Sequence, residues 1–212
     1  MRPLPRVHAV TDARVLALED FGVRAAAIAS AGPGVALHAR DRTAGGRRLA
    51  AAAHRLVTLA RPPEAAVLVN GHPEIARAVE AQGVQLGGGD LSPRDARAVL
   101  GPGWIGVSVH DEAEAEAGVE AGADFLLAGS IFESPSHPGG SPAGPGLVSR
   151  CARLGVPVIA IGGITARRVP ELRDAGAWGL AAISALWDAA DPAAAVLEML
   201  EAWNVERGTV NV

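Results

Sequence analysis

Val158-Ile159-Ala160-Ile161-Gly162-Gly163-Ile164 is a short apolar run that stops on paired glycines. One Ala-rich helical pattern later comes Gly176-Ala177-Trp178-Gly179-Leu180-Ala181-Ala182-Ile183-Ser184-Ala185, an apolar run that also ends in small residues. Apolar strands without polar alternation, joined through a helix, belong to a parallel sheet buried on both faces. In closed barrels of this kind, the loops after the last two strands often grip a phosphate. Glycines there let backbone N–H groups approach the anion, and a short helix N-terminus adds partial positive charge. Tight βα turns would also use glycine, but two successive strands ending this way favour an anion site at Gly162, Gly163, Ile183 and Ser184.

The same alternation runs outward to both ends of the chain. Strands are expected at Val7–Val10, Val35–Ala39, Ala66–Val69, Val84–Leu86, Ile105–Val109, Phe125–Ala128, Val158–Ile161 and Gly179–Ile183. Helical patterns fall near Leu16–Ala31, Arg47–Ala60, Glu74–Ala81, Pro93–Val99, Glu112–Glu120, Gly146–Leu154, Ala166–Ala175 and Pro192–Trp203. Eight strand–helix units in 212 residues fit a compact α/β fold, a single-domain (β/α)₈ TIM barrel over residues 1–212. The rival, a doubly wound open sheet, would carry a Gly-rich fingerprint after its first strand. Thr11-Asp12-Ala13-Arg14 stands there instead.

Composition narrows the function. All 19 basic residues are arginine, and the chain has neither lysine nor tyrosine. Schiff-base aldolases, pyridoxal enzymes and P-loop nucleotidases each need a lysine, so all three classes are excluded. A net charge of -4 argues against a nucleic-acid partner. No apolar run reaches the roughly 20 residues of a membrane span, and Met1–Arg6 is unlike a signal peptide. Cys151 is the only cysteine, which leaves no intrachain disulfide. A cytoplasmic protein is the default expectation, with a homo-oligomer left open.

Polar residues cluster where the strands end. His38, Arg40 and Arg42 share one side of the second strand by alternation, and suit a diphosphate or carboxylate. The alternative is a solvated basic loop. Asn70 closes the third strand, Gln85 lies in the fourth, and Ser108 and His110 finish the fifth. Any one of these is compatible with a satisfied inner polar residue; together they converge on a barrel mouth. The irregular stretch 133–145 reads as an active-site loop. In and before it, Ser130, Ser134 and Ser136 offer hydroxyls to a phosphate, and His137 offers proton transfer near neutral pH. His8, His54 and His72 are weaker candidates, His8 as a core residue and His54 as a surface one.

These stretches, with Gly83–Gly87 and Gly122-Ala123-Asp124, resemble the family of thiamine phosphate synthases and TenI-like thiazole tautomerases, from His8–Asp12 to Ile183–Ala185. The resemblance implies that a thiazole phosphate ester binds in the mouth. For a synthase it implies a pyrimidine diphosphate as well, with Mg2+ and basic side chains on the leaving diphosphate. The departures are specific. A Gln-x-Arg-x-Lys motif is His38–Arg42 here, keeping only its arginine. An Asn-Asp pair is Asn70-Gly71, which loses one metal ligand and leaves Asp90 as the remaining acidic position. A Thr-x-Thr-Lys stretch is Ser134–His137, so a lysine is lost. The tautomerase's Gly-His-Val-Phe is Gly129-Ser130-Ile131-Phe132, so its histidine would have to be replaced by His137, His110 or His38. The lost metal ligand puts the tautomerase first, with Arg40 on a carboxylate and no cofactor required. Thiamine phosphate synthase, with Mg2+, is the alternative, and a non-catalytic phosphate-binding protein the third.

Overall fold

The structure, a computed structural model, describes residues 3–60, 64–134 and 141–204. Its strands are β1 (Val7–Val10), β2 (Val35–Ala39), β3 (Ala66–Asn70), β4 (Gly83–Leu86), β5 (Trp104–Val109), β6 (Phe125–Ala128), β7 (Val158–Ile161) and β8 (Gly179–Ala182). Its helices are α1 (Ala13–Leu16), α2 (Phe21–Ala29), α3 (Gly46–Ala60), α4 (Pro73–Ala78), α5 (Pro93–Leu100), α6 (Glu112–Glu120), α7 (Pro145–Ala152), α8 (Val169–Asp174), α9 (Ser184–Trp187) and α10 (Pro192–Asn204). The strands pair in parallel, in chain order, and β8 returns to β1 with His8 opposite Ala181. This is the expected (β/α)₈ barrel.

Alternation along each strand divides two cores. Val7, Ala9, Val35, Leu37, Val67, Val69, Ile105, Leu126, Val158, Ala160 and Leu180 face the helical jacket. Val10, Ala36, Ala66, Leu68, Phe125, Leu127, Ile159 and Ala181 fill the barrel itself. Position-by-position alternation therefore also sends His8, His38, Gln85 and Ser108 inward: His8 pairs with Ala36, His38 with Val10, Ser108 with Leu127, and Gln85 with Gly106, itself opposite Phe125. Arg6 and Trp178 close the N-terminal end: the guanidinium lies 3.7 Å from the indole centroid, and the indole N–H donates to the carbonyl of Leu4 at 3.0 Å. The open end is thus the C-terminal one.

Three expected elements differ. The helix expected over Leu16–Ala31 starts only at Phe21, as α2, and a separate turn of helix, α1, precedes it; Val15 of α1 and Phe21 of α2 are both buried. Six residues apart on one continuous helix they would point about 120° apart. The turn between them lets Phe21 stack on Trp187 at 5.6 Å, a burial worth roughly 2–3 kcal/mol. The helix expected at Ala166–Ala175 starts as a 3-10 turn over Ala166–Arg168. β8 stops at Ala182, and Ile183 instead becomes the residue capping the short helix α9.

Candidate active site

One cavity of about 690 Å³ opens at the C-terminal end of the barrel. Arg40, Arg42, Asn70, Asp90, Ser108, His110, Ser130, Ser134, Gly162, Gly163, Ile183 and Ser184 all line it. Sequence positions spread over seven strand ends thus meet in one place. His137 and Ser136 lie outside the described residues.

The β6–β8 side is a backbone structure. Gly162 and Gly163 have φ of +103° and +62°, which L side chains rarely adopt. A Cβ at Gly162 would run into Ser130 Oγ, and one at Gly163 into the carbonyl of Glu133. The chain after β6 is stitched across this turn: Ile131 N–H donates to Ile161 O at 2.8 Å, and Phe132 N–H to Gly162 O at 3.0 Å. Arg168 holds the outer edge, donating to Gly163 O at 2.8 Å with its guanidinium 3.9 Å from the Phe132 ring centroid. At the next strand end Ser184 and Ala185 line the same cavity, and their N–H groups, the first of α9, have no partner within the helix.

The β2–β4 side is a side-chain structure. Thr11 is buried and its hydroxyl oxygen accepts from Arg40 N–H at 2.9 Å, while its one proton is shared between the carbonyls of His38 at 2.9 Å and Arg40 at 3.0 Å. That fixes where the half-buried Arg40 leaves the strand. Burial, and then the charge of Arg42, lower its pKa, so an anion here relieves an existing electrostatic cost. Arg42 is exposed at the rim. Gln85 donates to Ser108 Oγ at 3.1 Å, while its own Oε1 is buried with no partner among the described residues.

The histidines sort differently from their spacing in the chain. His38 does not reach the cavity wall: it is fully buried inside the barrel, with ring nitrogens against His8 and Asn70. Strand alternation groups it with Arg40, but β2 ends at Ala39 and only the arginines emerge. His110 stands on the rim, 69% exposed and 2.9 Å from Glu114. His72, a weaker candidate on sequence, lines the cavity and pairs with Glu74 at 2.7 Å. The signal for it is its place just after Asn70, at the end of a strand.

A resident divalent cation does not fit these residues. Asp90 Oδ2 already accepts the Gly87 N–H at 2.7 Å. Gly71 supplies no second carboxylate, although a Cβ there would sit 3.1 Å from Asp90 Oδ1. Among the described residues, no three His, Cys, Asp or Glu side chains come together to hold a metal. A hard cation needs about six oxygen ligands, and one partly used carboxylate is a poor start.

Residues 7–186 match the thiamine monophosphate synthase family. The chain belongs to that family. It is 40% identical to the thiamine-phosphate synthase of Salinispora tropica, over 95% of this chain and 99% of that one. It is 37% identical to the thiamine-phosphate synthase of Geobacillus kaustophilus, over 89% and 83%. A solved thiamine phosphate pyrophosphorylase from Pyrococcus furiosus superposes with a TM-score of 0.78 at 29% identity, covering 93% of this chain and 95% of that one. The ordering that puts the tautomerase first is corrected by these relatives, which carry the synthase name. Among the described residues, no helix is long and apolar enough to cross a membrane.

Proposed function

We propose that this protein is a thiamine-phosphate synthase, joining a pyrimidine diphosphate to a thiazole phosphate and releasing diphosphate. The observation that carries the reading is the composition of the β6 strand end. Ser130 stands where the tautomerase resemblance expects a histidine, and its hydroxyl points back to Phe132 O at 3.2 Å. Among the described residues of this strand end and its loop, those lining the cavity are Gly129, Ser130, Ser134 and Ser141, none of them a histidine or carboxylate. A synthase needs no proton-transfer group at the reacting atoms. The bond from the pyrimidine methylene to the diphosphate oxygen breaks, and its electron pair leaves with the diphosphate. The thiazole nitrogen lone pair then forms the new C–N bond, leaving the thiazolium positive.

In this reading the two sides of the mouth divide the work. Gly162, Gly163 and Ser184, with the Ser130 and Ser134 hydroxyls, hold the thiazole phosphate. Arg40 and Arg42 take the diphosphate and stabilise the charge that develops on it. The apolar floor of Val10, Leu127 and Ile161 keeps water from the methylene cation. Mg2+ enters no step, because the residues do not fit it as a resident ion.

The pure protein should form thiamine phosphate from the two substrates together and from neither alone, followed by chromatography. Isomerisation of thiazole carboxylate phosphate with no thiamine phosphate formed would overturn the proposal in favour of the tautomerase. Tight binding of either phosphate with no turnover would favour a binding protein.

A further inference from the structure

Beneath Arg40 and Asn70, two buried imidazoles lie in line inside the barrel. His8 Nε2 is 3.2 Å from Pro5 O, His8 Nδ1 is 2.8 Å from His38 Nε2, and His38 Nδ1 is 3.2 Å from Asn70 Oδ1. Of these groups only Asn70 reaches the cavity.

The protons in this chain can be counted. A carbonyl only accepts, so His8 donates through Nε2. The 2.8 Å contact between the rings needs one proton between them. If both rings are neutral, those two protons are all the pair has, and His38 Nδ1 is a bare acceptor. Only the NH₂ of Asn70 satisfies it, and the amide then shows its carbonyl oxygen to the cavity. If instead Asn70 turns Oδ1 to His38, Nδ1 must carry a third proton, and the pair holds one positive charge. The charge of the pair and the direction of the Asn70 amide are therefore one variable.

The surroundings weight the two states. Phe125 of β6 packs on His8 at 5.9 Å between ring centroids. β3 contributes the uncharged Asn70, and the charged side chain bearing on His38 besides His8 is Arg40. Burial lowers both histidines, His8 to about 4, so the neutral state holds while the cavity carries no anion. An anion on Arg40 cancels the repulsion from its guanidinium and calls for a donor from Asn70. Both effects favour the charged state.

We propose that His8 and His38 are positioning residues for Asn70, taking up one proton from solvent as an anion enters, so that the amide meets the anion with its NH₂. The inference rests on the cavity accepting a diphosphate, and one experiment separates the two claims. Inorganic diphosphate is titrated into the full chain by calorimetry at neutral pH, in buffers of different ionisation enthalpy. Wild type is compared with His38→Gln, whose amide bridges His8 and Asn70 but cannot be charged. Wild type is expected to take up about one proton more than the variant. Diphosphate binding with equal proton counts overturns this inference alone. No binding to wild type overturns the diphosphate reading and this inference with it. Should the variant fail to fold, ¹⁵N-histidine NMR of wild type decides. One ring with a bare nitrogen should gain its second N–H when diphosphate is added, and unchanged tautomers overturn the relay.

Discussion

The β6–β8 side and the β2–β4 side of the mouth face the same cavity, yet one is made of backbone and the other of side chains. Gly162, Gly163 and the start of α9 line the cavity with a backbone turn held by positive φ angles and by hydrogen bonds from Ile131 and Phe132 to Ile161 O and Gly162 O. Arg40, Asn70 and Asp90 present charges and amides on a framework set by Thr11 and Gly87. A backbone site is hard to alter without breaking the turn. A side-chain site drifts one residue at a time: the departures from the family pattern at His38, Arg42 and Gly71 lie on that side, and the one on the β6 side, Ser134–His137, is again a change of side chains, while Gly162-Gly163 stays.

Breaking the backbone side should have the largest effect. Gly162→Ala forces a Cβ into Ser130 at a φ of +103°, strain on the order of 1–3 kcal/mol that the turn relieves only by moving. Thiamine phosphate formation should fall at least about a hundredfold, with KM for the thiazole phosphate rising and a lowered Tm. Unchanged kinetics would mean that this turn is not the phosphate anchor.

On the opposite side, Arg40→Gln keeps the hydrogen-bonding reach but removes the charge. A fall of about a hundredfold in kcat/KM is expected, expressed against the pyrimidine diphosphate rather than the thiazole phosphate. Arg40→Lys should recover part of it, because the charge returns without the planar fork. Equal losses for both substrates would erase the proposed division between the two sides.

A smaller effect concerns the histidines under the side-chain wall. The folded protein keeps His8 neutral down to about pH 4, whereas the unfolded chain takes up its proton near 6.5. Below 6.5 the unfolded state therefore binds more protons, so stability is full above that pH and declines as pH falls towards 4. The slope from this one group is up to about 1.4 kcal/mol per pH unit. Thermal melts between neutral and mildly acidic pH should show the decline, and His8→Gln should reduce it, leaving the part that buried His38 contributes, while lowering Tm at neutral pH. A slope unchanged in His8→Gln would place the effect elsewhere.

The smallest change is a gain. Gly71→Asp puts a carboxylate beside Asp90, at a φ of +76° that aspartate tolerates better than most residues. Binding of Mn2+, followed by its paramagnetic resonance signal, should tighten about tenfold, equivalent to about 1.4 kcal/mol. No tightening would show that Asp90 is committed to Gly87 and unavailable to a cation.

Much of the mouth is legible in the chain, for different reasons on the two sides. Gly162-Gly163 and Ser184 are readable because small residues add little to packing. Placed at the ends of two successive apolar strands, they serve a close backbone approach instead. Arg40, Asn70 and Ser108 are readable as polar residues ending apolar strands. His38 is not: period-two alternation says which side of a strand a residue takes, but not whether its height falls in the packed barrel or at the open end. The break between α1 and α2 is also hidden, since it follows from Phe21 meeting Trp187, which is 166 positions away in the chain.

The order of residues alone is enough for the barrel, the lack of any lysine chemistry and the glycine turn that ends β7 at the barrel mouth. These depend on local periodicity, composition and glycine placement, which need no knowledge of neighbours. It takes the closed barrel to bring Arg40 to the cavity while His38 stays below it, to commit Asp90 to Gly87, and to join His8 and His38 in one chain ending at Asn70. Each of these is set by where a residue stands in three dimensions, and its distances and proton count exist only once the strands and their loops have come together.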